Sequence, residues 1–269
     1  MQSRLRLSTK CNAAGKTQLE DYFASPPFKV LTLPNYQAYW PQGLNAIQMS
    51  SSPGLLGGDE LDIEIRLAQH TALSLTTQAF TRVQSMHPDQ YAVQHTRITM
   101  APHSRLFYLP HPLVLHKDSA LQQTTEIRMG AGCRLIYGEI SIIGRVLMNG
   151  ERFAFRDFNS LLKLYREDKL LLSDRIRWQP ASMDLTALIQ MENYSHQGSL
   201  IYFAIDKSAA EIRALQSALQ QQLSTSGDIL FGLSQLNEEG LMLRAVAHRA
   251  DELQELFAQA SAYLKSLPD

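Results

Sequence analysis

What most limits the folds open to this chain is an internal repeat. Ile65-Arg66-Leu67, five residues, then Leu73-Ser74-Leu75 lines up with Ile98-Thr99-Met100, five residues, then Leu106-Phe107-Tyr108. A third copy is Ile127-Arg128-Met129, five residues, then Leu135-Ile136-Tyr137. Each unit alternates apolar and other residues, pauses over Ala68-Gln69-His70, Ala101-Pro102-His103 or Gly130-Ala131-Gly132, and resumes the alternation. Period two around a turn is strand, turn, strand. A unit with one apolar face cannot bury that face alone, so neighbouring units must stack or sandwich. The expected body is therefore mainly β, a solenoid or sandwich of stacked strand-turn-strand units. A fourth, less similar pair runs from Ser160 to Tyr165 and from Lys169 to Trp178 around Arg166-Glu167-Asp168.

The C-terminal quarter changes period. Ile212, Leu215, Leu219 and Leu223 have helix spacing, and Ser208 with Glu211 forms a capping-box pattern. Leu253, Leu256, Phe257, Ala260, Tyr263 and Leu264 predict a second helix. Between them, Ile229–Leu236 and Leu241–Ala247 alternate around Asn237-Glu238-Glu239-Gly240, a late hairpin. With no long Pro/Gly/Ser-rich linker, one domain is expected, with residues 15–206 as β body and 207–269 as a helix-hairpin-helix cap.

Charge excludes some partners. Lys plus Arg is 25 and Asp plus Glu 26, a net charge of -1 with no basic excess for nucleic acid. Charged residues make up only 19% of the chain, against roughly 25% in ordinary soluble domains. The deficit points to surface covered by other proteins. From Val30 to Gly58 there is no Asp, Glu, Lys or Arg, yet Pro34, Asn35, Gln37, Pro41 and Gln42 interrupt the stretch, which excludes a membrane span. Tyr36, Tyr39 and Trp40 make it a candidate partner surface. Cys11 and Cys133 are too few for a disulfide framework, and no apolar run follows Arg4, Arg6 and Lys10 as a secretory signal would require. A reducing cytoplasm is the expected compartment.

Motifs for independent catalysis are missing. Ala13-Ala14-Gly15-Lys16-Thr17 imitates the end of a P-loop, but its first glycine would fall at Lys10 and no apolar strand precedes it. Ser50–Asp59, with three glycines in five residues, reads as a tight corner entering the strand Leu61-Ile63-Ile65-Leu67. His87, His95, His103, His111 and His116 crowd one stretch, without the spacing of a zinc motif. No G-x-S-x-G elbow occurs. A β-solenoid carbohydrate-binding module or enzyme is the alternative, although the aromatic residues are scattered rather than set in rows.

The segment Ser51 to Asp59, followed by Leu61-Asp62-Ile63-Glu64-Ile65, resembles the UreD (UreH) family of urease accessory proteins, with Leu55 where the family pattern has a second glycine. Leu75-Thr76-Thr77-Gln78-Ala79-Phe80-Thr81-Arg82-Val83 is similar to another family stretch, with Arg for Lys, and Leu109-Pro110-His111-Pro112-Leu113 to a third. Gly138-Glu139-Ile140 stands in the place of a Trp-Glu-hydrophobic element, and Gly150–Phe155, Leu170–Arg175 and Gly240–Ala245 continue the likeness in order. The resemblance implies a non-enzymatic maturation factor. Its partners would be apo-urease, the helical accessory protein UreF and, through it, the GTPase UreG, with a dimer of the accessory complex among the expected assemblies. It implies no tightly bound cofactor, only nickel in transit along an internal polar route. On motif positions, the expected nickel contacts are Asp59, Asp62, Glu64, Glu139 and Asp174, with Thr76 and Gln78 along the route.

Overall fold

The computed structural model describes residues 1–34, 42–146, 148, 150–188, 190–224, 228–236 and 239–267. Tyr36, Tyr39 and Trp40 lie outside the described residues. The chain is mainly β, 51% strand and 12% helix, in stacked solenoid-like coils. The first half contributes β1 (Gln2–Cys11), β2 (Thr17–Ala24), β3 (Phe28–Leu33), β4 (Leu44–Ser50), β5 (Glu60–Leu67), β6 (Ala72–Thr77) and β7 (Thr81–Val83). There follow β8 (Ala92–Met100), β9 (Arg105–Tyr108), β10 (Leu113–Leu115), β11 (Ala120–Met129), β12 (Arg134–Ile142), β13 (Asp157–Arg166), β14 (Lys169–Trp178) and β15 (His196–Ala204). The cap is α1 (Ala209–Gln222), β16 (Leu230–Leu236), β17 (Gly240–Ala247) and α2 (Ala250–Ser266).

The strands form two sheets. A seven-stranded sheet runs β14-β13-β11-β8-β5-β1-β2, and a ten-stranded sheet runs β16-β17-β15-β12-β9-β6-β4-β3, with β10 and β7 attached beside β12. The three aligned units are successive coils. β5, β8 and β11 lie parallel in the first sheet, with Ile65, Ile98 and Ile127 directly in register. β6, β9 and β12 lie parallel in the second, aligning Leu73, Leu106 and Leu135. All six of these side chains are fully buried. The turns repeat as well: His70, His103 and Gly132 occupy the left-handed region at φ 59°, 58° and 63°. The His70 and His103 rings stack at 5.2 Å. A Cβ at Gly132 would meet His103 Nδ1 at 2.2 Å, so glycine there admits the imidazole of the coil below.

The fourth pair departs from the repeat. Its two strands do not divide between the sheets; β14 folds back antiparallel on β13 and ends the seven-stranded sheet. The P-loop mimic is the β1–β2 turn, in which the Asn12 side chain accepts from the backbone N–H groups of Ala14 and Lys16. The glycine-rich segment is a corner. Gly54 packs against the Arg82 carbonyl, where a Cβ would lie 2.5 Å away, and Asp59 accepts from the Leu56 N–H at 2.8 Å and the Met1 ammonium at 2.9 Å.

Two apolar cores result. One fills the space between the sheets, around Leu5, Ile63, Ile98, Leu121, Leu164 and Phe203. The other lies between the outer face of the ten-stranded sheet and the two helices. α1 begins at the Ser208 N-cap, which forms the expected capping box with Glu211. α2 presents Leu253, Leu256, Phe257, Ala260 and Leu264 to β12, β15 and β17. Phe257 fits because the sheet has two glycines beneath it. A Cβ at Gly198 would stand 2.8 Å from its ring, and one at Gly138 would stand 3.4 Å from the ring and 2.7 Å from Leu109. No helix among the described residues is long and apolar enough to cross a membrane.

Candidate functional site: a polar band through the sandwich

Between the two sheets the packing should be apolar throughout, since residues two apart on a strand share a face. At one level it is not. On the seven-stranded sheet, Gln94, Gln123 and Ser160 stand side by side in register on β8, β11 and β13, on the same face as Leu61 of β5. One level along, Thr96 and Thr125 align, followed by Leu162 and then Asp174 at the β14 edge. Facing them on the ten-stranded sheet, Gln48 aligns with Thr77, and Glu139 with Ser199 and Arg244. Tyr108 and Tyr137, in register one level below, point their hydroxyls at this layer.

Hydrogen bonds tie the layer across the gap. The Gln123 amide donates to Glu139 at 3.2 Å and to the Ser160 hydroxyl at 2.8 Å, and that hydroxyl donates to the second Glu139 oxygen at 3.3 Å. The Tyr137 hydroxyl also donates to Glu139 and lies 3.3 Å from the Thr125 hydroxyl. The Tyr108 hydroxyl donates to Gln48 at 3.2 Å. Burial between the sheets pushes the Glu139 carboxyl up from its ordinary value, and the Asp174 charge adds to that rise, while the Tyr137 and Ser160 hydroxyls pull it back. The Tyr137 and Tyr108 phenols are both pushed up, chiefly by burial and then by the nearby Glu139 charge. The donors around this carboxylate offset part of the burial that disfavours its charge, and burial still outweighs them.

A cleft lies at each end of the band. Near Gln48, Thr77 and Gln94 it meets a cleft of about 920 Å3 that also includes Met1, Asp59, Gln78, His111 and His116. Near Arg244 and Gln197 it meets a second cleft, of about 620 Å3, bordered by Arg175, Ile176 and Tyr194. At this end Asp174 of one sheet forms an ion pair with Arg244 of the other. Burial lowers the His116 imidazole below its usual value, and Arg145 acts in the same direction.

The expected site residues divide by location. Glu139 and Asp174 belong to the band; Asp59 and Gln78 line its first mouth. Thr76 faces away from the gap and donates to the Leu109 carbonyl at 2.8 Å, while its neighbour Thr77 faces in. Asp62 and Glu64 are on the outer face of the seven-stranded sheet, paired with Arg4 and Arg97 and with Arg66. Sequence reading overlooked Gln48, Gln94, Thr96, Gln123, Thr125 and Ser160. The five histidines do not converge: His87 pairs with Asp89, His95 is on the outer sheet face, and only His111 and His116 share a cleft. Among the described residues no group of three or more His, Cys, Asp or Glu side chains is gathered as a resident metal centre. Carboxylate, hydroxyl and amide oxygens in a row are weak, hard ligands, suited to brief contact with a divalent cation rather than tight capture.

The family model described as UreD urease accessory protein matches residues 1–268. A urease accessory protein UreD from Actinobacillus pleuropneumoniae serotype 5b (strain L20) is 61% identical over 266 residues, covering 99% of this chain and 98% of the relative. Another, from Haemophilus influenzae (strain 86-028NP), is 59% identical over 272 residues, covering 99% of this chain and all of the relative. With a family model matched along nearly its whole length and relatives of this identity, the chain belongs to the UreD family of urease accessory proteins.

Proposed function

We propose that this chain is a cytoplasmic urease maturation factor that catalyses no reaction itself. In this reading it binds apo-urease and UreF, reaches UreG through UreF, and lets nickel pass along the polar band toward the urease active site. Nickel is cargo here, not a resident cofactor. The observation that carries the reading is the hydrogen-bonded layer around Glu139 between the two sheets, which lies between a cleft lined by Gln48, Thr77 and Gln94 and a cleft lined by Arg244. Burying such groups is costly even when they are hydrogen-bonded, and an apolar layer of the same shape would stabilise the sandwich at least as well, which favours a role for them beyond packing. A cation crossing the gap would exchange water for Gln94, Gln123, Ser160 and Glu139 in turn, and Asp174 would offer a carboxylate at the far mouth.

The test is co-expression of the urease structural subunits, UreF and UreG with wild-type chain or with Glu139→Ala and Asp174→Ala. Expected are intact complexes in every case, with urease nickel content lowered severalfold by either substitution and further by both. Full nickel loading by the double variant would exclude the band as the route. Absence of any complex between the wild-type chain and urease or UreF would exclude the maturation role itself.

A further inference from the structure

At the far end of the band a cation faces into the gap between the sheets. Arg244 is in register with Ser199 and Glu139, and its guanidinium crosses to Asp174 of β14. A clasp built for stability is held differently. Arg166, which ties β13 to the turns of the ten-stranded sheet, has two carboxylates, Glu239 and Asp206. Arg244 has Asp174 as its only carboxylate among the described residues, and its Nε donates to the Met242 thioether at 3.1 Å, a weak acceptor. Its side chain is 50% exposed, whereas that of Asp174 is 14% exposed. Water screens a pair with one half-exposed partner, so the pair adds little to stability. Asp174, mostly out of water, is nevertheless costly to leave without a positive neighbour. Arg244 also has room to leave. Gly232 lies beside it in register on β16, and nothing from elsewhere in the chain stands within 4 Å of the place its Cβ would take. Both residues line the cleft of about 620 Å3.

From this we infer that Arg244 is a displaceable counter-ion: a divalent cation moving between the Glu139 layer and the cleft takes its place on Asp174, and its return releases that cation. The inference rests on the nickel-route reading above and assigns the step that keeps binding at Asp174 brief. Charge decides the exchange. At equal distance a doubly charged ion attracts the Asp174 carboxylate twice as strongly as a guanidinium does, so the cation can win the site. Tethering decides the return. Arg244 stays attached to β17 beside the site, and a tethered competitor acts at a high effective concentration that a free ion in dilute solution does not match. The neighbouring rung shares the work: the Asp174 charge is felt at Glu139, where it adds to the rise of that carboxyl. Without Arg244, the two inward carboxylates would hold a divalent cation longer than passage allows.

Calorimetric titration of the full chain with nickel chloride, at fixed pH and ionic strength, tests this. Arg244→Gln and Arg244→Met should bind nickel at least about fivefold more tightly than wild type, and Arg244→Lys, which keeps the charge, should stay within about twofold of it. On an Asp174→Asn background, Arg244→Gln should change nickel affinity by less than about twofold. Arg175→Gln removes an equal charge from the border of the same cleft, but from the outer face of β14, and should also stay within about twofold of wild type. Circular dichroism and thermal midpoints establish that the variants fold. Unchanged affinity in folded Arg244→Gln and Arg244→Met overturns the proposal. Equal tightening by Arg175→Gln, or on the Asp174→Asn background, overturns it as well, because general charge repulsion would then be the cause. If neither uncharged variant folds, the pair is a structural clasp and the proposal fails. The nickel-route reading is judged apart from this. Should Arg244→Gln tighten nickel through Asp174 while the chain carrying both Glu139→Ala and Asp174→Ala loads urease fully, displacement at Asp174 stands and the route reading fails.

Discussion

His196 shows how a single side chain couples this fold to pH. It lies on the helix side of β15, with its Nδ1 2.7 Å from the Ser195 hydroxyl. Burial lowers its imidazole to about 4, the nearby His248 acting in the same direction and Asp251 partly opposing. Between about 4 and the ordinary value near 6.5, the unfolded chain therefore holds a proton there that the folded chain does not. Stability contributed by neutral His196 is complete above 6.5 and is lost as pH falls toward 4. Thermal midpoints followed from pH 7 to pH 4 should fall less steeply for His196→Asn than for wild type; parallel curves would show that another group sets the acid limit. Glu139 has the opposite sign. Its raised carboxyl favours the folded state at low pH and costs stability as pH rises through its folded value. The two groups narrow the stable range from opposite sides.

At the scale of single elements, the attachment of α2 depends on what the sheet lacks. Phe257 occupies the hollow above Gly138 and Gly198, and Leu253 closes over Gly198. Gly198→Ala puts a methyl group 2.8 Å from the ring, and the helix must shift to relieve it. Overpacking of this kind costs about 1–3 kcal/mol, which urea unfolding at neutral pH should register. The double variant Gly198→Ala with Phe257→Leu should regain part of the loss, since the shorter side chain vacates the contact; an equal or larger loss would show that the strand itself, not the ring, resists the methyl.

The elements also show which parts of the structure the sequence could disclose. Coil register was legible because Ile65, Ile98 and Ile127 each begin the same pattern and each must face the core. The capping box at Ser208 and Glu211 was legible because a cap is local chemistry. The polar band was mostly hidden. In Gln122-Gln123-Thr124-Thr125 inward and outward residues have the same chemistry, so alternation gives no sign that Gln123 and Thr125 face in. Thr76 and Thr77 hide the face of β6 in the same way. Asp62 and Glu64 were readable as outward residues: each lies between apolar neighbours of β5, and period two sends both to the outer face, away from the band. The foldback of β14 could not be read from the strands themselves, because a short turn serves a coil corner and a hairpin equally well.

For the whole molecule, stacking makes the middle coil the most interdependent part. Ile98 has a neighbouring coil on each side, through Ile65 and Ile127, whereas Leu5 of β1 has only β5 and the edge strand β2 beside it. In a stack whose stability is the sum of coil and interface terms, damage at the centre weakens two interfaces. Ile98→Ala should cost roughly 2–5 kcal/mol in chemical denaturation, as truncations of fully buried aliphatic side chains do, and more than Leu5→Ala. A larger loss at Leu5 would show that the β1–β2 end, not the stack, carries stability.

The in-register stacking also sets a distance. The band is assembled one residue per strand, Gln94, Gln123 and Ser160 on one wall and Glu139, Ser199 and Arg244 on the other, each held beside the next by backbone hydrogen bonds. Neighbouring strands are about 4.8 Å apart, an interval fixed by the peptide group and not by side-chain choice. Its oxygen and nitrogen groups are therefore graduated like the marks on a ruler. Along each wall the interval from one rung to the next is the same. Substitution can change the identity of a rung, but the step length belongs to the backbone.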